Sequence, residues 1–236
     1  MITLKKTKSL IRIKNEWNTI AAIREDQVST GKDHSANFVL APAILNEISS
    51  VNSLIDIGCG TGWLTERASK YAETVVGIDP SEESIAIGRQ LHSSDRIIYY
   101  SESIESYAVK GQLFDVAISN MAASSSPDLY GFLAASRSIL KKNAFFIFTI
   151  PHPFFWPSYW GYASDPNFDY QESYAVEGEF KIQTEKSTIL TTHFHHPLEQ
   201  YIKVLCKNRF QLHSIRELKG LGFNLPRFML IKVRAI

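Results

Sequence analysis

Apolar residues fall into two rhythms along the central part of the chain. Between residues 53 and 151, short continuous apolar runs alternate with segments whose apolar positions recur every three or four residues. The runs predict strands at 54–58, 74–79, 96–100, 113–119 and 144–150; the periodic segments predict helices at 62–72, 82–92 and 127–140. Such alternation calls for a parallel sheet with helices on both faces. The run at 144–150 is almost wholly apolar, as suits a strand buried on both sides. Ser126 and Pro127 read as N-cap and first residue of the third helix.

The flanks differ from this core. Trp17, Ile20, Ala21, Ile23 and Val28 predict a short amphipathic helix, 29–33 a loop, and 34–48 a second helical stretch interrupted by Pro42. Residues 151–196 break the alternation with prolines and many aromatic residues, too many for a flexible linker. Residues 178–192 alternate enough to predict strands, so this stretch reads as an insertion that walls or caps a site. A helix at 198–208, opened by Pro197, and strands at 210–217 and 227–233 follow; the last two predict an antiparallel hairpin at the sheet edge.

Composition changes this picture little. The 236 residues are 44% hydrophobic and 21% charged, with a net charge of +1, which suits one α/β domain and gives no electrostatic reason to expect nucleic acid. Cys59 and Cys206 stand in unlike contexts and suggest neither a disulfide framework nor a zinc site. No uncharged N-terminal stretch suits a signal peptide or a membrane span, so no membrane is expected and the cytoplasm is the default.

The chemistry gathers at the ends of the predicted strands, where a sheet of this type holds its ligand. Strand 54–58 runs into Gly58, Gly60 and Gly62, a turn that admits positive φ and close approach of a ligand to the backbone. Trp63 stands where a dinucleotide fingerprint would place its last glycine, which argues against a pyrophosphate there and for an adenosine-bearing ligand without one. Asp79 ends the second strand, where a carboxylate can accept both ribose hydroxyl protons. The other strands end at Ser101, Glu102 and Ser103, at Asn120 and Met121, and at Pro151 and His152.

The pattern Asp56-x-Gly58-x-Gly60-x-Gly62, with Asp79 downstream, resembles the first motifs of the class I S-adenosylmethionine (SAM)-dependent methyltransferases. The resemblance is strong over 50–150 and moderate over 195–236, where that family also ends in a reversed strand. It implies a Rossmann-like, doubly wound α/β fold with a seven-stranded sheet, in a single domain. That domain divides into an N-terminal lid (1–50), a cofactor core (51–151), an aromatic-rich cap (152–196) and terminal helix and strands (197–236). It implies SAM as cofactor and S-adenosylhomocysteine as product. By that resemblance the cofactor residues are Asp56, Gly58, Cys59, Gly60, Gly62, Asp79, Pro80, Ser81, Glu102, Ser103, Ile104, Asn120 and Met121. Asp79 takes the ribose, Glu102 the adenine amino group, Ile104 the adenine ring, and Asn120 the methionine moiety. His34 and Asn37 on the lid face the cofactor carboxylate or the substrate. Phe154, Trp156, Tyr159 and Trp160 on the cap face the substrate.

His193, His195 and His196 invite a metal reading, but the first two would point to one strand face and the third to the other, with no acid or cysteine nearby to complete a shell. No metal is expected. His195-His196-Pro197-Leu198 resembles the segment before the penultimate helix of the same family. His152 or His195 is the candidate base if the acceptor needs deprotonation; merely hydrogen-bonded histidines are the plainer alternative. The expected function is methyl transfer to a small, partly apolar metabolite, chiefly by alignment. A non-catalytic SAM-binding or partner protein is the alternative; an NAD-dependent dehydrogenase is disfavoured by Trp63 and the terminal hairpin. The acceptor atom stays open, as does the oligomeric state, with a homodimer among the options.

Overall fold

The structure is a computed structural model that describes residues 2–182 and 184–236. The chain opens with strand β1 (Thr3–Lys5) and helix α1 (Leu10–Ser29); a π-helical turn (Ala36–Leu40) leads into α2 (Ala41–Leu45). Strand and helix then alternate: β2 (Val51–Ile57), α3 (Trp63–Ala68), β3 (Ala72–Ile78), α4 (Glu82–Leu91), β4 (Ile97–Tyr100), α5 (Ile104–Ala108), β5 (Phe114–Asn120), α6 (Leu129–Ser138) and β6 (Leu140–Pro151). The short α7 (Trp156–Trp160) and a hairpin, β7 (Tyr174–Lys181) and β8 (Lys186–His195), form the insertion. Helix α8 (Leu198–Lys207) and strands β9 (Phe210–Lys219) and β10 (Pro226–Ala235) close the chain.

The main sheet has seven strands in the order β4-β3-β2-β5-β6-β10-β9. β2 to β6 pair in parallel, and β10 is antiparallel to both β6 and β9. The reversed last strand is therefore present as anticipated. Side chains alternate between faces along each strand, so Leu54, Val116 and Leu230 feed one apolar layer while Ile55, Ala117, Met229 and Ile231 feed the other. Two cores on one sheet require strands apolar on both faces, which is why β6 reads as a continuous apolar run. Strand order reverses between β2 and β5, which opens a crevice at their carboxyl ends.

The N-terminus and the insertion meet in a second sheet, β1-β7-β8, which is antiparallel throughout. Lys8 pairs with both Glu16 and Glu177, and its Nζ donates to Thr192 Oγ1 at 2.9 Å. The N-terminal segment and the β7–β8 hairpin thus share one hydrogen-bonded layer. The N-terminal helix is also tied to the core: the His92 ring, after α4, bridges Glu66 of α3 at 2.8 Å and Glu25 of α1 at 2.9 Å. Burial works to raise the Glu25 carboxyl, but hydrogen bonds from Ser29, Thr61 and His92 outweigh it and hold it below the ordinary range. Among the described residues, no helix is long and apolar enough to cross a membrane.

Three expectations need correction, and three short elements are additional. Helix α6 is capped by Asp128, whose Oδ1 accepts from Gly131 N at 2.9 Å; Ser126 instead closes a local turn with Asp128. The carboxylate wins because it can reach the N3 amide while Ser126 sits two residues too early. Pro197 is the N-cap of α8 with extended backbone (ψ 153°), outside the helix. Helix 62–72 is only α3 plus a 3-10 turn at Ser69–Tyr71. β1, α5 and α7 were not anticipated, being too short to show a period.

Candidate functional site

The glycine turn after β2 shows which face is open. Gly58, Gly60 and Gly62 all have positive φ, at 72°, 55° and 84°. A Cβ at Gly58 would run into the Ala122 side chain, and one at Gly62 into the Tyr99 hydroxyl. At Gly60 a Cβ would meet nothing within 4 Å. Gly58 and Gly62 are thus small for packing, while the space beside Gly60 is open.

Asp79 lies over that turn. Its Oδ2 accepts from Gly60 N at 3.0 Å and its Oδ1 from Ser81 N at 2.8 Å. Burial raises the carboxyl to about 6, against those two amides, which favour the ionised form. Asp56 is different in kind: it is 1% exposed, beneath the turn, with Oδ2 accepting from Thr65 Oγ1 at 2.7 Å. Its Oδ1 has no partner, and burial, with the nearby Asp79 charge, raises it to about 7. Asp56 braces the turn from below through α3.

The other predicted residues scatter around this centre. Cys59 is buried, with burial raising its thiol well above the ordinary value, so it packs rather than reacts. Pro80 is half-buried; Ser81 caps α4, accepting from Ser84 N at 3.1 Å and donating to Asn18 Oδ1 at 2.7 Å, which links the site to α1. Glu102 is paired with Lys110 at 2.7 Å, and Ser103 caps α5. Ile104 is buried in the core layer below. Across the crevice, Asn120 Oδ1 accepts from Thr149 Oγ1 at 2.7 Å. Met121 has φ 64° and is held there by its N–H to the Thr149 carbonyl at 3.1 Å. A side-chain-bearing residue in the left-handed region stores strain at the strand end facing the glycine turn. Thr149 went unnoticed in the sequence, because only the β5–β6 register places it beside Asn120.

On the lid, His34 and Asn37 are half-buried; His34 packs on Phe38 at 5.7 Å, and Asn37 Nδ2 donates to the Asp33 carbonyl at 3.0 Å. On the cap, Phe154 is exposed, whereas Trp156 and Trp160 are buried, stacked 5.8 Å apart and closing over His193. Those two tryptophans hold the cap to the core. Tyr159 is half-buried and faces Arg227.

The histidines converge, but as structural groups. His152, His193, His195 and His196 line one cleft of about 10 Å³ with Pro151, Trp156 and Tyr162, space for about one water. His152 Nδ1 accepts from the amides of Phe154 and Phe155 at 3.3 and 3.4 Å, so its proton sits on Nε2, which faces Glu217 Oε1 at 2.9 Å. With both nitrogens engaged, His152 organises the turn after β6 and has no lone pair free to act as a base. His195 Nε2 donates to the Tyr170 carbonyl at 3.1 Å, and burial lowers its basicity. Burial lowers His193 to about 3 and His196 to about 4, each with a smaller push from His195. Among the described residues, no group of three His, Cys, Asp or Glu side chains is arranged to hold a metal.

Comparison with known proteins gives this geometry a context. Residues 55–148 match the family model "Methyltransferase domain". A ubiquinone biosynthesis O-methyltransferase of Methylobacterium nodulans is 31% identical over 97 residues, which is 40% of this chain and 39% of that protein. The chain thus spans about two fifths of the length of that curated relative. Among solved structures, a SAM-dependent methyltransferase of Clostridium acetobutylicum superposes with a TM-score of 0.65 at 16% identity, covering 92% of this chain and 98% of that one. The N-methyltransferase NodS of Bradyrhizobium japonicum, in complex with S-adenosylhomocysteine, gives 0.63 at 14% identity, covering 95% and 97%. The resemblance carried by Asp56, the three glycines and Asp79 is borne out: the core matches the methyltransferase domain, and the whole chain has the fold of SAM-dependent methyltransferases.

Proposed function

We propose that this protein transfers a methyl group from SAM to a small, partly apolar acceptor. The observation that carries the reading is the open backbone at Gly60 beneath the Asp79 carboxylate, at the point where strand order reverses. Asp79 keeps lone pairs for ribose hydroxyls, Gly60 gives close backbone approach, and Asn120 and Met121 bound the crevice opposite. SAM supplies a methyl group already activated by its sulfonium, which leaves alignment of the acceptor as the protein's main task. Such alignment contributes up to about 7–11 kcal/mol in favourable intramolecular models. His152 is committed to the backbone and to Glu217, so this chain offers no strong base there. The match to the O-methyltransferase covers only the core, so an oxygen acceptor is one candidate among the nucleophiles.

A second reading is a SAM-binding protein without turnover, favoured by the narrowness of the cleft under the cap. Calorimetric titration with S-adenosylhomocysteine, with NAD as control, tests the cofactor first. Binding of the former alone is expected; binding of NAD, or of neither, would overturn the assignment. Methyl transfer from labelled SAM to any member of a small-molecule panel then separates catalysis from binding.

A further inference from the structure

Arg227 is a buried charge whose donors the fold satisfies only in part. It is the second residue of β10, is 6% exposed, and its Nε and Nη1 have no hydrogen-bond partner. Aromatic rings enclose it: the guanidinium carbon lies 3.8 Å from the Tyr159 centroid, 4.3 Å from Phe223 and 5.2 Å from Phe228. Tyr159, which also offers it a side-chain hydrogen bond, and Asp33 both favour its charged form, but the Asp33 carboxylate is paired with Arg24 at 3.0 Å. Burial accordingly lowers the Arg227 pKa. A desolvated cation with unmet donors is expensive to keep, and an apolar side chain of similar length would fill the same space more cheaply. The two unmet donors would be met by an anion that arrives from outside.

Its place in the sheet says whose anion. β10 runs against the parallel strands, so its first residues lie at their carboxyl edge, with Phe228 opposite Pro151 and Leu230 opposite Thr149. Thr149 in turn faces Asn120. Two strand spacings and three residues put Arg227 about 14 Å from Asn120, within the span of one small molecule. It stands beyond β5 and β6 from Gly60 and Asp79, on the far side from the cofactor residues. A single guanidinium suits a monoanion, and the rings suit an apolar body; Lys181, over Tyr159 and Trp160, is already engaged.

Resting on the methyltransferase reading, we propose that the acceptor is a carboxylic acid whose carboxylate docks on Arg227 while its apolar body lies along Tyr159 and Phe223. The carboxylate is an anchor, and the methylated atom lies nearer Asn120.

The test uses the full chain with and without saturating S-adenosylhomocysteine. Benzoate, 3-phenylpropionate and indole-3-acetate are each titrated against their neutral amides by calorimetry, with phenyl phosphate as a dianion. At least one acid should bind tenfold or more tighter than its amide and than phenyl phosphate, and should shift the Arg227 Nε–H resonance. Arg227→Met should abolish that preference, keep S-adenosylhomocysteine affinity within twofold, and melt no lower than the wild type. Arg227→Lys, which keeps the charge and loses the planar fork, should weaken the acid severalfold. The proposal falls if no acid outbinds its amide, if the Arg227 resonance is unmoved, if phenyl phosphate binds best, or if Arg227→Met lowers the melting temperature or cofactor-product affinity. Failure of the wild type to bind S-adenosylhomocysteine would instead sink the methyltransferase reading, and the acid–amide difference without it would still report on Arg227.

Discussion

Asp79 accepts from two backbone amides, one from the glycine turn and one from the start of α4, and is nevertheless raised to about 6 by burial. Only the ionised carboxylate accepts both ribose hydroxyl protons. Affinity for S-adenosylhomocysteine should therefore climb with pH through about 6 and weaken towards tenfold per unit below it, whereas Asp79→Asn should bind weakly and without that slope. Calorimetry from pH 5 to 8 decides it. Asp56 bears on stability with the opposite pH dependence. Its folded value of about 7 lies above that of an unfolded chain, so the native state holds more protons between pH 4 and 7 and loses stability as pH rises through that window. Asp56→Asn removes this component. Its unfolding free energy relative to wild type should rise from pH 4 to 7, by on the order of 2–4 kcal/mol, and level off above about 8. Denaturant unfolding across that range is the measurement, and a flat difference would mean Asp56 is not the group titrating.

The strand-turn-helix of β2, the glycine turn and α3 separates folding from binding within three residues. Gly58→Ala adds a left-handed backbone penalty of about 1–2 kcal/mol and a collision with Ala122 that must be relieved by moving backbone, so it should destabilise by about 2–4 kcal/mol. Gly60→Ala carries only the backbone penalty, since its Cβ meets no protein atom. It should remain folded, within about 1–2 kcal/mol of wild type, yet lose most of its S-adenosylhomocysteine affinity. Thermal melts beside calorimetry distinguish the two; equal loss of stability would show that the open face at Gly60 is not where the ligand lies.

Over the molecule as a whole, the N-terminal residues and the cap behave as one layer because β1 completes the β7–β8 sheet. Lys8 is the tie: its ammonium is buried between Glu16 and Glu177. Lys8→Met leaves Glu16 facing Glu177 with only Lys5 still paired to the latter, and should destabilise by about 1–3 kcal/mol. The loss should be local, with amide exchange accelerating in β7 and β8 before β2 to β5. Uniform acceleration through the main sheet would show that cap and core unfold together.

What this sequence determined by itself is the part written in neighbouring residues. The strand-helix alternation, the glycine turn, the acid ending the second strand and the reversed last strand are all local in pattern, because period and turn chemistry act over a few positions. The structure moved most of those elements by only a few residues, the largest change being the shortened α3. Short elements such as β1 and α5 escaped, since three to five residues carry no period. Tertiary structure alone decided the roles of single side chains. Two histidines offered as bases became a turn-former and a buried donor, because burial and backbone partners set what an imidazole can do. Trp156 and Trp160, expected to face a substrate, are buried and stacked on each other. Arg227 reads as one more basic residue at a strand start; only pairing β10 antiparallel to β6 brings it to the ligand edge, and only the rings of distant segments strip it of water. Desolvation is a property of the assembled chain, so no local pattern could have announced it.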